Sequence, residues 1–326
     1  MILEEKMQEE PMENLYRYWL EKGEHLNWPG PFITPPFLEA WWESFGSGEL
    51  FLRSFWEGEI LYGVAPLMVE KRTARIVGSG DVCDYHDFPI KKGFEKEFYT
   101  SLLHYLKEES LESLEVASMR ADSSSLCLLV EVSDKEGLGL ECFPEEVMPV
   151  TRLPASWEEY LQGLSKKQRH EVRRKIRRLK EAGEVKYRVY REPGEVQEII
   201  PLFLELFKNS RLEKAEFLTP RREKFFRNLL EKFTKNRMAL LGVLELDGNS
   251  VASVFCFDYG DTVYLYNSGY YPEYSHLSAG LLSKVFMIGE SISADKDCFN
   301  FLKGNEDYKY RLGGINVPTY RVKIHL

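Results

Sequence analysis

From residue 50 onward, apolar and polar positions alternate with period two, switch to helical spacing, and then return to alternation. Residues 50–56 and 60–68 read as two strands joined by a turn at Glu57-Gly58, and 75–77 as a third that stops at Gly78-Ser79-Gly80. A helix over 94–107 and a strand over 114–118 complete the run. The same order returns in the second half. There, strand 238–246 leads through Asp247-Gly248-Asn249 into strand 250–259. A third strand, 262–266, ends at Asn267-Ser268-Gly269, and a helix over 277–291 precedes a strand over 298–302. The shift is 188 residues from Leu50 to Met238, 189 from Gly80 to Gly269 and 184 from Leu114 to Cys298. Loops drift by a few residues, so the chain reads as two copies of one β-β-β-α-β unit.

The remaining pattern is mainly helical. Residues 11–23 have amphipathic spacing, 29–36 form a proline-rich extended lead-in, and 37–45 set Trp41, Trp42 and Phe45 on one apolar side of a helix. Between the copies lie helices over 156–163, 165–182, 195–209 and 220–233. Helix 165–182 opens on the capping-box residues Ser165 and Gln168 and stops at Gly183. Helix 220–233 has Thr219 as N-cap and Pro220 in its first turn. A chain of 326 residues is long for one core, which predicts domains over 1–150 and 151–326.

Charge changes this picture at one place. The net charge of −9 argues against general attraction to nucleic acid or an anionic membrane. Yet Ser165 to Lys180 carries nine Lys or Arg against Glu171 alone, a local +8 that leaves −17 for the rest of the chain. Val172, Ile176 and Leu179 form the narrow stripe that docks this helix, so its other faces are positive. Such a face suits the phosphates of a cofactor, of a nucleotide-linked substrate or of an RNA acceptor end. Acidic surfaces elsewhere on the chain would also neutralise it.

Other chemistry is narrowed by what is missing. MILEEKMQEE lacks the basic start and apolar core of a signal peptide, and no run approaches the ~18 apolar residues that span a bilayer. The five cysteines form no CxxC pair and sit mostly beside apolar residues, which predicts buried free thiols in a reducing cytoplasm. Six histidines form neither an i, i+4 pair nor a cluster with cysteine, so no metal site is expected.

Two stretches gather reactive groups. FNFLKGNEDYKYRLG, residues 299–313, begins as a buried strand with Phe299 and Phe301 on one face and breaks at Lys303-Gly304-Asn305-Glu306. Lys303, Glu306, Asp307, Lys309 and Arg311 then interleave with Tyr308 and Tyr310, where a strand ends and α/β folds place their sites. Asp84-Tyr85-His86-Asp87 forms an acidic-aromatic loop in the first copy. Small residues at Ser278-Ala279-Gly280 open a helix whose N-terminal amides suit a pyrophosphate.

FNFLKGNEDYKYRLG, with YNSGYYPEYSHLSAGLL at 266–282 and LSKKQRHEVRRKIRRLKEAG at 164–183, resembles the CelD-like branch of the GNAT acyltransferase superfamily. That branch is related to the Fem-type aminoacyl transferases, which carry two GNAT-like halves. The resemblance spans about residues 30 to 325 and is most specific at Gly304, Glu306, Tyr308 and Lys309. There are two departures from the pattern: Ser275 and Ser278 replace the first two key residues of the cofactor-helix motif, and Asn300 stands where the family often has Asp.

The resemblance implies an α/β (α+β) fold of tandem GNAT-like halves, each a mixed, mainly antiparallel sheet flanked by helices. It implies acyl transfer from acyl-CoA (acetyl-CoA) to an amine or hydroxyl, with the cleft between the halves near Glu306 and Lys309. Glu306 would take the acceptor's proton, and Tyr308 or Lys309 would neutralise the leaving group. A backbone N–H where the strands splay around Cys256 and Tyr264 would hold the oxyanion. Ser278, Ala279, Gly280 and Leu281, with Arg169 and Arg173, would bind the cofactor, and Asp84, Tyr85, Lys303 and Asn305 the substrate. The implied protein is cytoplasmic, needs no metal, has no membrane span, and acts on a small molecule or a cell-envelope or polysaccharide precursor. Two other readings stay open: a Fem-type aminoacyl transferase drawing on aminoacyl-tRNA, and a non-catalytic anion- or RNA-binding protein on a transferase scaffold.

Overall fold

The computed structural model describes residues 5–20, 26–78 and 80–326, and the chain divides into two units. One is Met1–Glu146 with Val317–Leu326; the other is Val147–Asn316. The boundary differs from a simple split at 150, because residues 319–325 pair antiparallel with the strand Ser113–Arg120 and so join the first unit.

The first unit runs β1 (Glu5–Glu9), α1 (Met12–Leu20), β2 (Leu26–Asn27), a 3₁₀ turn at Pro31–Ile33 and α2 (Pro35–Phe45). Then follow β3 (Glu49–Glu57), β4 (Ile60–Glu70), β5 (Thr73–Ile76), β6 (Ile90–Lys91), α3 (Glu95–Glu108), β7 (Ser113–Arg120) and α4 (Ser124–Lys135). β3 and β4 form an antiparallel hairpin, β4 pairs antiparallel with β5, and β5 runs parallel to β7. β1 flanks β3 on its open side. Gly63 lets α3 approach this sheet, since a Cβ there would lie 2.1 Å from the Phe98 ring.

β8 (Gly139–Arg152) carries the chain into the second unit at Val147. There follow α5 (Trp157–Gly163), α6 (Lys166–Ala182), β9 (Val185–Tyr190), α7 (Pro193–Ser210), α8 (Leu212–Phe217) and α9 (Pro220–Lys235). The hairpin β10 (Ala239–Leu246) and β11 (Asn249–Tyr259) leads to β12 (Thr262–Tyr270), α10 (Ala279–Ser293), β13 (Cys298–Asn300), α11 (Asp307–Arg311) and β14 (Ile315–His325). β10, β11 and β12 pair antiparallel in turn, and β12 runs parallel to β13. Both units therefore carry the same strand order with the same pairing senses, as expected from the recurring pattern.

The second sheet is covered on both faces. Side chains alternate along β11, so Val254 and Cys256 join Leu282, Val285 and Phe299 in the core under α6 and α10. Phe255 and Phe257 point the other way, against Phe203 of α7 and Phe233 of α9, with centroids 5.8 and 4.6 Å apart. Burying aromatic rings of this size contributes most of each layer's apolar stabilisation.

Several expected elements shift. The proline-rich lead-in is not extended throughout: Pro31–Ile33 is a 3₁₀ turn and α2 already begins at Pro35. Proline lacks only an N–H that a first helical turn would leave unpaired. β12 does not stop at Tyr266 but runs through Gly269 to Tyr270. That glycine serves packing, because a Cβ would lie 2.2 Å from the Phe207 amide nitrogen of α7. The thiols are not uniformly buried either: Cys83 and Cys256 are, whereas Cys127 and Cys142 are exposed. Residues 21–23 of the first predicted helix and Ser79 of the predicted turn lie outside the described residues. Among the described residues, no helix is long and apolar enough to cross a membrane.

Candidate active site

In the second unit β12 and β13 keep company for only three residues, Thr262–Tyr264 against Cys298–Asn300. β12 then continues to Tyr270, while the other chain turns away. The departure is built from local chemistry. Buried Asn300 accepts the Leu302 amide on its Oδ1 at 2.9 Å, Leu302 takes φ +57°, and Gly304 takes φ +112°. Glycine is needed at 304 for this dihedral angle, and a Cβ there would also push the Glu306 carboxylate aside, at 2.5 Å from Oε2. On the other side of β12, the register against β11 slips between Phe255 and Cys256, leaving Tyr266 as the extra residue of a bulge.

Lys309 closes that turn. Its side chain is 2% exposed, and Nζ donates to the carbonyls of Leu302 (3.0 Å), Lys303 (2.5 Å) and Gly304 (3.3 Å). Glu306 Oε2 lies 2.9 Å from the same nitrogen. An ammonium has three protons, and here at least four acceptors share them. Lys309 thus holds the turn that displays Glu306 and Tyr308, and Glu306 remains half exposed.

Tyr308 faces inward, toward a lysine of α10. Lys284, in the middle of α10, is 7% exposed and sits with Nζ 5.2 Å from the Tyr308 ring centroid. Its one hydrogen-bond partner among the described residues is the Gly280 carbonyl, at 2.6 Å. Burial and then the charge of Lys214 bring its pKa down to about 7. Lys214, on the short α8, donates to the Ser268 carbonyl of β12, lies 4.7 Å from the Phe207 ring centroid, and is lowered to about 8, mainly by burial. Burial acts oppositely on the acids nearby, holding the Tyr308 phenol and the Cys256 thiol protonated well above their ordinary ranges. Two amines with lowered pKa, a protonated phenol and a carboxylate therefore act on one another. The only sequence signal for Lys284 is a lone lysine in the apolar run LLSKVFMIG; Lys214 has none.

The other anticipated residues fall in three places. Ser278 takes a left-handed conformation (φ +61°) before α10 and accepts the Lys175 Nζ of α6 at 2.7 Å, so the basic helix touches the start of α10. Ala279 and Gly280 are buried and Leu281 half-buried, and a Cβ on Gly280 would press on the Tyr270 ring at 2.6 Å. Arg169 and Arg173 face α5 instead. Arg169 donates to the Gln162 carbonyl at 3.2 Å, and Arg173 pairs with Glu158 at 2.8 Å beside an open groove of about 410 Å³ floored by Trp157. Within α6, Glu171 pairs with Arg174 and Lys175, which hold its carboxyl at about 2. Lys303 is half-buried and Asn305 exposed at the turn.

Asp84 and Tyr85 belong to the first unit. Tyr85 is buried against Phe32, with centroids 6.1 Å apart, and under Arg120, while Asp84 is half-buried. Beside them His86 Nδ1 bonds the Ala117 carbonyl and Nε2 the Cys83 thiol, each at 3.2 Å. Burial lowers His86 to about 4 and raises Cys83, so this pair stays neutral and is no thiolate–imidazolium couple. Among the described residues, no group of three His, Cys, Asp or Glu could hold a metal ion.

Residues 166–310 match the family model described as acetyltransferase (GNAT) domain. No curated protein matches the chain. Among solved structures, FemX is similar over 97% of this chain and 96% of its own, with 12% identity and TM-score 0.68. A conserved protein of unknown function from Bacteroides thetaiotaomicron is similar over 98% and 99%, with 12% identity and TM-score 0.64. L-PGS from Bacillus licheniformis is similar over 91% and 93%, with 12% identity and TM-score 0.54. At such identities the likeness is one of fold. Residues 166–310 thus match a GNAT domain, and the chain as a whole has a fold similar from end to end to that of FemX.

Proposed function

We propose that this protein is an acyltransferase that moves an acyl group from acyl-CoA, acetyl-CoA in the simplest case, to an amine or hydroxyl acceptor. The observation that carries the reading is the parting of β12 from β13 inside the GNAT domain, beside Tyr308, Glu306 and Lys284. A strand edge freed in this way offers backbone N–H groups to a thioester carbonyl, and the bulge at Tyr266 redirects one of them. Glu306, half exposed, takes the proton from the attacking amine or hydroxyl. Lys309 keeps it in place. Tyr308, held protonated by burial, returns a proton to the leaving thiolate. Lys175 at Ser278 sets a cation at the start of α10, which fits the pyrophosphate of the donor. A cytoplasmic location and a small-molecule, cell-envelope or polysaccharide precursor as acceptor go with this reading.

A second reading, aminoacyl transfer from aminoacyl-tRNA as in the Fem-type enzymes, is favoured by α6. Lys166, Lys167, Arg178 and Lys180 are exposed and have no ion pair among the described residues. Native mass spectrometry of protein purified from cells decides between the donors. Acyl transfer from coenzyme A predicts a co-purified adduct of coenzyme A mass, or its appearance on adding acetyl-CoA. An adduct with tRNA alone, weakening steeply with salt, would move the assignment to the second reading. Binding of either with no turnover would leave a non-catalytic binder.

A further inference from the structure

The turn that displays Glu306 and Tyr308 is held from a second direction. α11 is a helix of five residues, too short to persist without tertiary support, and its last carbonyls have no partner within the helix. The Leu312 carbonyl lies at its C-terminal end in a buried residue, and the Tyr160 hydroxyl of α5 donates to it at 2.8 Å across 152 residues of chain. Burial raises the Tyr160 phenol far above its ordinary range, so the donor keeps its proton at any working pH. Gly313 follows with φ +91°, and a Cβ there would lie 3.1 Å from Thr151 Oγ1 and 3.3 Å from Leu164, the residue that ends α5. α5 is itself fixed. Ser156 caps it, Trp157 stacks on Tyr160 with centroids 5.3 Å apart, and Arg173 and Arg169 of α6 hold Glu158 and the Gln162 carbonyl. It also precedes residue 166, where the match to the GNAT domain begins.

We propose that Tyr160 is a positioning residue for acyl transfer: by holding the Leu312 carbonyl it fixes the end of α11, and with it the places of Glu306 and Tyr308. The link is short, since the Leu312 amide donates back to the Tyr308 carbonyl at 3.0 Å and the Gly314 amide to the Lys309 carbonyl at 2.9 Å. Tyr160 acts through the turn and not on the reacting atoms. The basic helix gains a use in this arrangement: two of its arginines set α5, and α5 sets the turn. The role in transfer rests on the acyl-transfer reading; the bracing of the turn does not.

Tyr160→Phe keeps the ring and removes the hydroxyl, and two measurements on the full chain test it. Hydrogen exchange followed by mass spectrometry reads the turn without turnover. In the variant the amides of 306–314 should exchange about 10-fold faster or more, with α9 and the β10–β11 hairpin unchanged. Thiol release from acetyl-CoA reads the chemistry: kcat should fall on the order of 10-fold while KM for acetyl-CoA stays within about 2-fold. A tyrosine serving stability alone would lower the melting temperature and leave kcat and KM per folded molecule as they were. Unchanged exchange over 306–314, exchange raised evenly through the chain, or wild-type kcat in the variant would overturn the proposal. Absent thiol release by the wild type would overturn the acyl-transfer reading and this role with it; faster exchange at 306–314 would then still establish the brace.

Discussion

Replacing Lys284 by Met should stabilise the protein, and by more at pH 6 than at pH 10. The sign follows from where the proton sits. Lys284 is lowered to about 7 in the folded protein and returns to about 10.4 in the unfolded chain. Between those values the unfolded chain binds a proton that the folded protein lacks, so wild-type stability rises with pH across the window. Below pH 7 both states are charged, and the folded state bears the full cost of a buried cation. Above pH 10.4 neither is charged and the cost is gone. A shift from 10.5 to about 7 corresponds to a cost on the order of 4 kcal/mol at pH 6, an upper figure since relaxation around the amine reduces it. Met matches the lysine stem in volume, so the substitution removes little packing. Urea unfolding of both proteins at pH 6, 8 and 10 measures it. A stability difference that stays flat across that range would show that Lys284 keeps its charge when folded.

Lys309→Met should act in the opposite direction, although both lysines are buried. Lys309 holds three backbone carbonyls and a carboxylate, and removing it strands all four acceptors. Breaking a buried pair costs about 3–5 kcal/mol, and the half-exposed Glu306 places this one near about 3. The loss is read in the same urea series, and a change under about 0.5 kcal/mol would mean that the turn holds without its lysine. Lost turnover in this variant must be compared with lost stability before it is assigned to chemistry. Two lysines of one sequence type thus differ in sign, because one has its acceptors in the chain and the other lacks them.

That contrast marks what the sequence could and could not reveal. The β-β-β-α-β recurrence was legible because strand alternation and helical spacing are local, and each copy's core depends on them. Helix α6 was legible for the same reason: Ser165 caps it, and Val172 and Leu179 bury. Gly269 misled, because a glycine that ends a strand and one that admits a helix look alike in one dimension. Arg169 and Arg173, expected at the cofactor, lie where α5 folds back to present Glu158 and the Gln162 carbonyl, a meeting of two helices that spacing along one of them does not show. Lys284 was invisible, since a lysine's cost depends on what surrounds it in space. The motif at 299–313 shows a turn dense in charge, but does not separate Lys309, which latches the turn, from the groups that the latch displays.

The central claim is that the second unit transfers acyl groups, and thiol release measures it most directly. Protein is mixed with acetyl-CoA and a panel of amine and hydroxyl acceptors, and free coenzyme A thiol is followed for wild type, Glu306→Gln and Tyr308→Phe. The account predicts acceptor-dependent release by wild type and a loss on the order of 100-fold, about 2.7 kcal/mol, in each variant. Because Glu306 is half exposed and Tyr308→Phe keeps the ring, melting temperatures should stay close to wild type. Acceptor-dependent release at wild-type rates in both variants would contradict the assignment of the chemistry to this turn.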